Sequence, residues 1–136
     1  MKKAAALMLV FGLVAMGCAT LGGNPARQVN DTVETWMDAL LAKDVDALME
    51  TYSEEFTDTE YRDKTGLAQF MAQSKSMGYL DGLTIDRSSE TVEVEGNAAT
   101  AGPIKITGYF GMVTVDFSLA KEAGGWMIVE QRASGI

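Results

Sequence analysis

The chain has 136 residues, enough for one domain of ordinary size, and it carries a formal net charge of −8 at pH 7. Hydrophobic residues make up 47% of it and charged residues 22%, which is typical of a globular protein and not of a disordered one. The single cysteine excludes an intramolecular disulfide, and the absence of histidine excludes histidine-based catalytic triads and histidine metal ligands. The acidic balance disfavours nucleic-acid binding, because a protein that tracks phosphates is normally basic.

The first residues predict export from the cytoplasm. Met1-Lys2-Lys3 is a cationic start, and residues 4–15 are an uninterrupted apolar run. At ~1.5 Å per residue, a helix of this run would be roughly 18 Å long, well short of the ~30 Å hydrocarbon core of a bilayer. The segment is therefore interpreted as the apolar region of a signal peptide and not as a membrane span.

The apolar run ends in Ala15-Met16-Gly17-Cys18, which resembles a bacterial lipobox. The resemblance implies a signal peptide over 1–17, cleavage before Cys18, a diacylglycerol on its sulfur and an acyl chain on its new amino group. Residues 18–25 would then be the lipidated cysteine and a flexible tether, and residues 26–136 the domain. An ordinary secretory signal with an incidental cysteine is the alternative.

Lipidation of Cys18 would anchor the protein to a bacterial membrane, with the domain in the cell envelope facing the periplasm. Ala19 follows the cysteine where an aspartate would favour retention at the inner membrane. The sequence thus favours the outer membrane without deciding between the two.

Acidic residues are concentrated in one part of the chain. Without Lys2 and Lys3 the mature chain would hold 9 basic and 19 acidic residues, a net charge of −10. Residues 31–63 contain eleven carboxylates against Lys43 and Arg62. A solvated helix face is the favoured interpretation, and a docking face for a cationic partner is the alternative.

The first half of the chain has helical periodicity. Apolar residues spaced by three and four predict an amphipathic helix over residues 26–42, with a buried stripe of Val29, Val33, Trp36, Met37, Leu40 and Leu41. Asp44 is predicted to cap a second helix that runs through Tyr52. A third helix is predicted from near Thr65 to near Gly78.

After Gly82 the period changes to two, which predicts strands over residues 83–86, 92–95, 98–107, 112–120 and 126–132. Pro103 predicts a bulge or an edge in the third of them. Trp126, at the start of the last strand, is predicted to be buried. Helices followed by an antiparallel meander indicate an α+β fold, with the N-terminal helices packed on one face of a curved antiparallel sheet.

Two stretches of the sequence carry a family resemblance. Residues 36–56 (WMDALLAKDVDALMETYSEEF) are similar to the opening of SnoaL-like domains, which belong to the nuclear transport factor 2 superfamily together with ketosteroid isomerase. Residues 117–128 (FSLAKEAGGWMI) resemble the last hairpin of these domains. The resemblance covers residues 27–134 and implies a cone-shaped fold with a pocket at its wide end.

The resemblance also assigns positions to the isomerase chemistry. The general base would fall at or near Glu60, the phenolic oxyanion donor at Trp36 and the protonated aspartic acid at Val115. An enolising enzyme needs a donor against the developing oxyanion as well as a base. Because an indole and an isopropyl group stand at the two donor positions, this chemistry is disfavoured, and family dehydratases that use a pocket histidine are excluded.

The pocket is therefore predicted to be largely apolar and to need no cofactor or metal. Glu60 is a weak catalytic candidate. The expected lining residues are otherwise Trp36, Tyr52, Phe56, Tyr61, Phe70, Val113, Val115, Phe117 and Gln131. Each aromatic in this set has the alternative role of plain core residue.

Three functions remain open at this point. The favoured one is a lipid-anchored, non-catalytic domain that binds a small apolar ligand or a protein partner. The second is an isomerase or hydrolyase acting on a small hydrophobic substrate with Glu60 as base. The third is a structural accessory subunit of an envelope complex. The polar strand face formed by Thr114, Asp116 and Ser118 is compatible with a homodimer interface or with solvent.

The lipobox resemblance generates a direct prediction. Cys18→Ala removes the only thiol, so we expect an unprocessed precursor or a soluble form in place of a lipidated mature protein. Intact mass spectrometry of the membrane fraction tests this. A mature N-terminus at any residue other than Cys18 would contradict it.

Overall fold

The computed structural model describes residues 24–135. The predicted signal peptide and Cys18 lie outside the described residues. Within them, the elements follow in the order α1 (Pro25–Leu41), α2 (Val45–Met49), β1 (Thr57–Asp58), β2 (Arg62–Asp63), α3 (Lys64–Ser76), β3 (Thr84–Asp86), β4 (Thr91–Glu95), β5 (Ala98–Gly108), β6 (Gly111–Glu122) and β7 (Gly125–Ser134). This is the predicted α+β order, and none of the described helices is long and apolar enough to cross a membrane.

Helix α1 begins where its sequence provides a cap. The Asn24 side chain accepts a hydrogen bond from the Ala26 N–H at 2.8 Å, and Pro25 occupies the first helical position, where its missing N–H costs nothing. The predicted stripe is largely confirmed, but Leu41 is 44% exposed. Each helical residue is rotated by about 100° from the one before. Leu40 therefore faces the core while Leu41, the last residue of α1, faces away from it.

The two shorter helices are each capped by an aspartate. Asp44 accepts from the Ala47 N–H at 3.0 Å, which confirms its predicted capping role, and Asp63 accepts from the Gly66 N–H at 2.9 Å. The prediction that α2 continues through Tyr52 is wrong. Tyr52 instead forms an isolated parallel bridge with Ile128 of β7, which fixes the chain after α2 to the sheet.

The strands form a five-stranded antiparallel sheet in the order β3-β5-β6-β7, with β4 also paired to β5. One edge of β5 is shared, since residues 98–102 pair with β4 and residues 105–107 pair with β3. Each predicted strand segment is present. A separate two-stranded ladder joins β1 to β2 ahead of α3.

The bulge predicted at Pro103 is confirmed, and it lies in the middle of β5. The register of β5 against β6 shifts between Ala101 and Ile104, around the cis Gly102-Pro103 peptide. Gly102 has φ +151°, and a Cβ added there would lie 2.3 Å from Asp116 Oδ1, so only glycine fits. A second shift occurs at Ser118/Leu119 of β6. Bulges increase strand bending and twist, so these two positions curve the sheet.

The core lies between α1 and the concave face of the sheet. Its fully buried side chains come from the helices, from the segment after α2 and from the inner face of β5, β6 and β7, and they include Phe56, Phe117, Leu48, Leu67, Ile104, Leu119, Ile128, Val29 and Val33. Trp126 is 5% exposed, which confirms its predicted burial. Its Nε1–H donates to Gln28 Oε1 at 3.3 Å, and its carbonyl accepts from Thr32 Oγ1 at 2.9 Å. Trp126 thus fastens β7 to α1.

Truncation of this contact should be costly. We expect Trp126→Ala to lower the free energy of unfolding by about 3–5 kcal/mol, because it leaves a cavity in the core and removes an indole hydrogen bond. Urea denaturation followed by circular dichroism measures this. Trp126→Phe retains a ring and should lose less. A urea midpoint of Trp126→Ala within error of the wild type would contradict the assignment.

Candidate functional site

A cavity of about 680 Å³ opens between the helices and the concave face of the sheet. The helices and the segment around β1 and β2 provide one wall of the cavity, and β5, β6 and β7 provide the other. Its lining residues are Trp36, Leu40, Leu48, Tyr52, Glu60, Tyr61, Leu67, Phe70, Met71, Ser74, Tyr79, Leu80, Leu83, Ile106, Tyr109, Phe110, Val113, Val115, Gln131, Ala133 and Ser134.

Three of the polar lining groups form a hydrogen-bonded chain, which we call the Trp36–Tyr52–Gln131 relay. Trp36 Nε1–H donates to Tyr52 Oη at 3.1 Å, and Tyr52 Oη–H donates to Gln131 Oε1 at 2.6 Å. The direction follows from chemistry, because an indole nitrogen can only donate and a phenol has one hydrogen to give. Gln131 must therefore accept through its oxygen, which leaves its amide N–H groups as the donors at the end of the relay.

Burial keeps the relay in a single protonation state. Tyr52 is 2% exposed, and its burial raises the pKa of the phenol above its ordinary value, although the hydrogen bond from Trp36 opposes the shift. The phenol therefore stays protonated throughout the physiological pH range. Its donation to Gln131 does not change with pH there.

Aromatic side chains surround the open end of the cavity. The rings of Tyr61 and Phe70 lie 4.7 Å apart at 36°, and those of Tyr79 and Tyr109 lie 5.4 Å apart at 38°. Phe70 is 43% exposed and Tyr109 68% exposed. We call these four residues the aromatic rim. Exposed apolar rings at the mouth of a cavity are available for contact with a bound molecule.

Glu60 belongs to the lining but remains exposed to solvent, in the turn between β1 and β2. Partial burial raises the pKa of Tyr61 to about 12, and the negative charges of Glu60 and Asp58 add to the shift. The groups at the two donor positions that the family resemblance assigns do not complete a catalytic set with it. The Trp36 N–H is already bound to Tyr52, and Val115 is apolar.

Most of the predicted pocket residues surround the cavity. Trp36, Tyr52, Tyr61, Phe70, Val113, Val115 and Gln131 all line it, as does Glu60. Whether they bind a ligand stays a prediction. Within residues 24–135, no group of three or more acidic or thiol side chains is arranged to hold a metal ion.

The prediction that Phe56 and Phe117 line the pocket is wrong. Both are buried one layer behind the lining, at 1% and 0% exposure. The Phe117 ring packs edge-to-face on Trp36 at 4.9 Å, and the Phe56 ring does the same on Tyr52 at 5.0 Å. They support the two aromatic members of the relay from behind and do not face the cavity.

Several lining residues were not predicted from the sequence. Leu67, Met71 and Ser74 share a face of α3 with the predicted Phe70, at spacings of three and four. This periodicity was visible, and it could have identified them. Tyr109 and Phe110 stand in the turn between β5 and β6, where no periodicity exists to assign a side chain to either face.

Comparisons with known proteins agree on the fold. No protein-family model and no curated protein matches the sequence. Among solved structures, similar ones include an NTF2-like protein of unknown function from Pseudomonas putida KT2440, with a TM-score of 0.68 and 16% identity over 87% of this chain and 89% of that one. A candidate ketosteroid isomerase from Shewanella frigidimarina NCIMB 400 has a TM-score of 0.66 and 23% identity, over 82% of this chain and 95% of that one. A candidate dehydratase of the NTF2-like family from Streptomyces avermitilis has a TM-score of 0.66 and 12% identity, over 82% of this chain and 96% of that one.

At these identities the likeness concerns the fold and not the activity. The helices packed on a curved antiparallel sheet, with the cavity between them, match the architecture of these neighbours. The chain therefore has the NTF2-like cone fold, which includes the ketosteroid isomerase-like structures.

Proposed function

We propose that this protein is a SnoaL-like binding domain that holds a small, predominantly apolar ligand in the cone cavity without converting it. The observation that carries the proposal is the cavity itself, about 680 Å³ in volume and lined mainly by aliphatic and aromatic side chains. Ligand sites in proteins are typically concave, of roughly 300–1,000 Å³, and mostly apolar with a few fixed polar groups. The Trp36–Tyr52–Gln131 relay supplies such groups.

The relay favours a ligand with a hydrogen-bond acceptor. Because the Gln131 oxygen already accepts from Tyr52, the Gln131 amide offers N–H groups to the cavity. A carbonyl, ether or hydroxyl oxygen at one end of an apolar molecule would satisfy them. An apolar ligand without an acceptor would leave these donors desolvated, which costs free energy.

The lipid anchor at Cys18 is part of the proposal, and its support is the lipobox-like sequence alone. An anchored domain would work in the bacterial envelope, close to molecules that partition between membrane and water. Dimerisation through the outer sheet face and docking of a protein partner remain predictions. Neither is needed for the cavity to bind a ligand.

One observation favours a catalytic alternative, namely the carboxylate of Glu60 in the cavity lining. A general base contributes about 10²–10⁴-fold to a rate, far less than a complete site. The groups at the two assigned oxyanion positions are a bonded indole and Val115, so neither of these positions offers a free donor to an enolate. We therefore place binding ahead of turnover.

Blocking the cavity tests the binding function. Val113 is half-buried and lines the cavity, so Val113→Trp should fill part of it and weaken binding of the neutral probe N-phenyl-1-naphthylamine by at least about tenfold, or ~1.4 kcal/mol. Fluorescence titration measures this. Val129 is half-buried on the same sheet but outside the lining, which makes Val129→Trp the matched control. Unchanged binding in the Val113 variant would locate the probe elsewhere.

A thermal-shift screen with product analysis tests the absence of turnover. Steroid-like, polyketide-like and fatty-acid compounds are screened, and every compound that raises Tm is incubated with the protein and analysed for products. A ligand present at about 100 times its Kd should stabilise the fold by about 2.7 kcal/mol. We expect stabilisation without products. Reproducible turnover that is lost in Glu60→Gln, with folding and binding retained, would establish the catalytic alternative.

A further inference from the structure

The charge of the cavity lining is one-sided. Seven of its side chains are aromatic, namely Trp36, Tyr52, Tyr61, Phe70, Tyr79, Tyr109 and Phe110. Among the residues that the structure describes, Glu60 is the one charged member of the lining. No lysine or arginine among the described residues belongs to this lining, so no cationic side chain there would neutralise an anionic ligand. The formal charge of the described lining is therefore negative, with no cationic side chain to offset it.

The aromatic rim is suited to a positively charged ligand group. The face of an aromatic ring carries negative electrostatic potential, so it attracts a cation within about 6 Å of its centre. The rim holds two ring pairs, Tyr61 with Phe70 and Tyr79 with Tyr109, each tilted by less than 40°. Because Phe70 and Tyr109 are substantially exposed, ring surface at the mouth is left for a ligand to contact.

Two carboxylates lie close to one ring of the rim, that of Tyr61. Glu60 adjoins Tyr61, and Asp58 is close enough that its charge also raises the pKa of the Tyr61 phenol. The nearby lysines are already paired with other acids, Lys64 with Glu54 and Lys43 with Asp81, both at 2.7 Å. Arg62 follows Tyr61 in the chain but lies outside the lining. Within residues 24–135, Glu60 has no ion-pair partner, so the mouth combines exposed ring faces with an unpaired carboxylate.

We infer that the ligand is an amphiphilic cation, whose apolar body occupies the cavity while its ammonium group lies at the aromatic rim beside Glu60. This rests on the proposed binding function and narrows its ligand class. A carboxylate of the same length would meet the charge of Glu60 and find no cationic side chain in the lining. The formal net charge of −8 adds a long-range field of the same sign, which attracts cations to the surface.

Three probes with the same alkyl chain separate charge from apolar contact. They are n-octyltrimethylammonium, 1-octanol and octanoate, each used below its micellar concentration. The full chain is kept in solution by a non-ionic amphipol, and isothermal titration calorimetry measures the binding, with empty amphipol as the blank. We expect the ammonium probe to bind roughly 5- to 30-fold more tightly than 1-octanol, as a partly desolvated cation–π contact allows, and octanoate to bind most weakly.

Two variants locate the preference at the rim. Glu60→Gln should reduce the ratio of the affinity for the ammonium probe to the affinity for 1-octanol. Phe70→Leu should reduce this ratio more than Glu60→Gln does, while leaving the affinity for 1-octanol nearly unchanged. Glu95→Gln is the matched control, because Glu95 is exposed and outside the lining. It removes the same charge and should leave the ratio unchanged.

The outcomes separate this inference from the function on which it rests. Equal binding of the ammonium probe and 1-octanol, lost in Val113→Trp, would overturn the inference and leave the binding function intact. If Glu95→Gln lowers the preference for the ammonium probe as much as Glu60→Gln does, the preference comes from net charge. That result would also overturn the inference. Binding of none of the three probes would overturn both.

Discussion

The bend of β5 at Gly102-Pro103 is the constraint on which the rest of the architecture depends. The register shift between Ala101 and Ile104 divides the strand, so that β4 pairs with its first part and β3 with its second. The first part carries small side chains, Ala99 and Ala101, over which α1 can pack closely. The second part contributes Ile106 to the cavity lining. The bulge therefore separates the part of β5 that lies under α1 from the part that lines the cavity.

The cavity that results has two chemically different ends. Its interior contains the Trp36–Tyr52–Gln131 relay, in which the buried Trp36 N–H and Tyr52 O–H each have an acceptor, as buried polar groups require. Phe117 and Phe56 support the relay from behind through edge-to-face contacts. The open end instead presents exposed rings and the carboxylate of Glu60. A molecule of the proposed kind would therefore be oriented by the Gln131 N–H donors inside, which meet its acceptor, and by ring contacts outside.

The same arrangement explains why the fold does not by itself imply catalysis here. The NTF2-like cone is shared with structures named for isomerases and dehydratases, but a scaffold supplies only the cavity, and the chemistry depends on the side chains placed in it. In this chain the indole that stands at an assigned oxyanion position is bound to Tyr52. Its hydrogen bond stabilises the folded protein, and the same N–H cannot also stabilise a developing negative charge on a substrate without breaking that bond.

Local signals in the sequence determined the three helices, the five strands of the main sheet and the bulge, but not the end of α2 or the short β1–β2 ladder. Alternation, helical spacing, the Asp44 cap and Pro103 each act over a few residues, so they could be read without tertiary contacts, and the α+β order followed from them. Those signals also identified Trp36, Tyr52 and Gln131 as members of one pocket, with help from the family resemblance. These signals could not decide which side chains on the inner face reach the cavity surface and which are buried behind it. Phe117 and Val115 share one face of β6, yet only Val115 lines the cavity, because the Trp36 ring covers Phe117. The relay and the aromatic rim likewise join residues far apart in the chain, and only the packing of helices on the bent sheet brings them into contact.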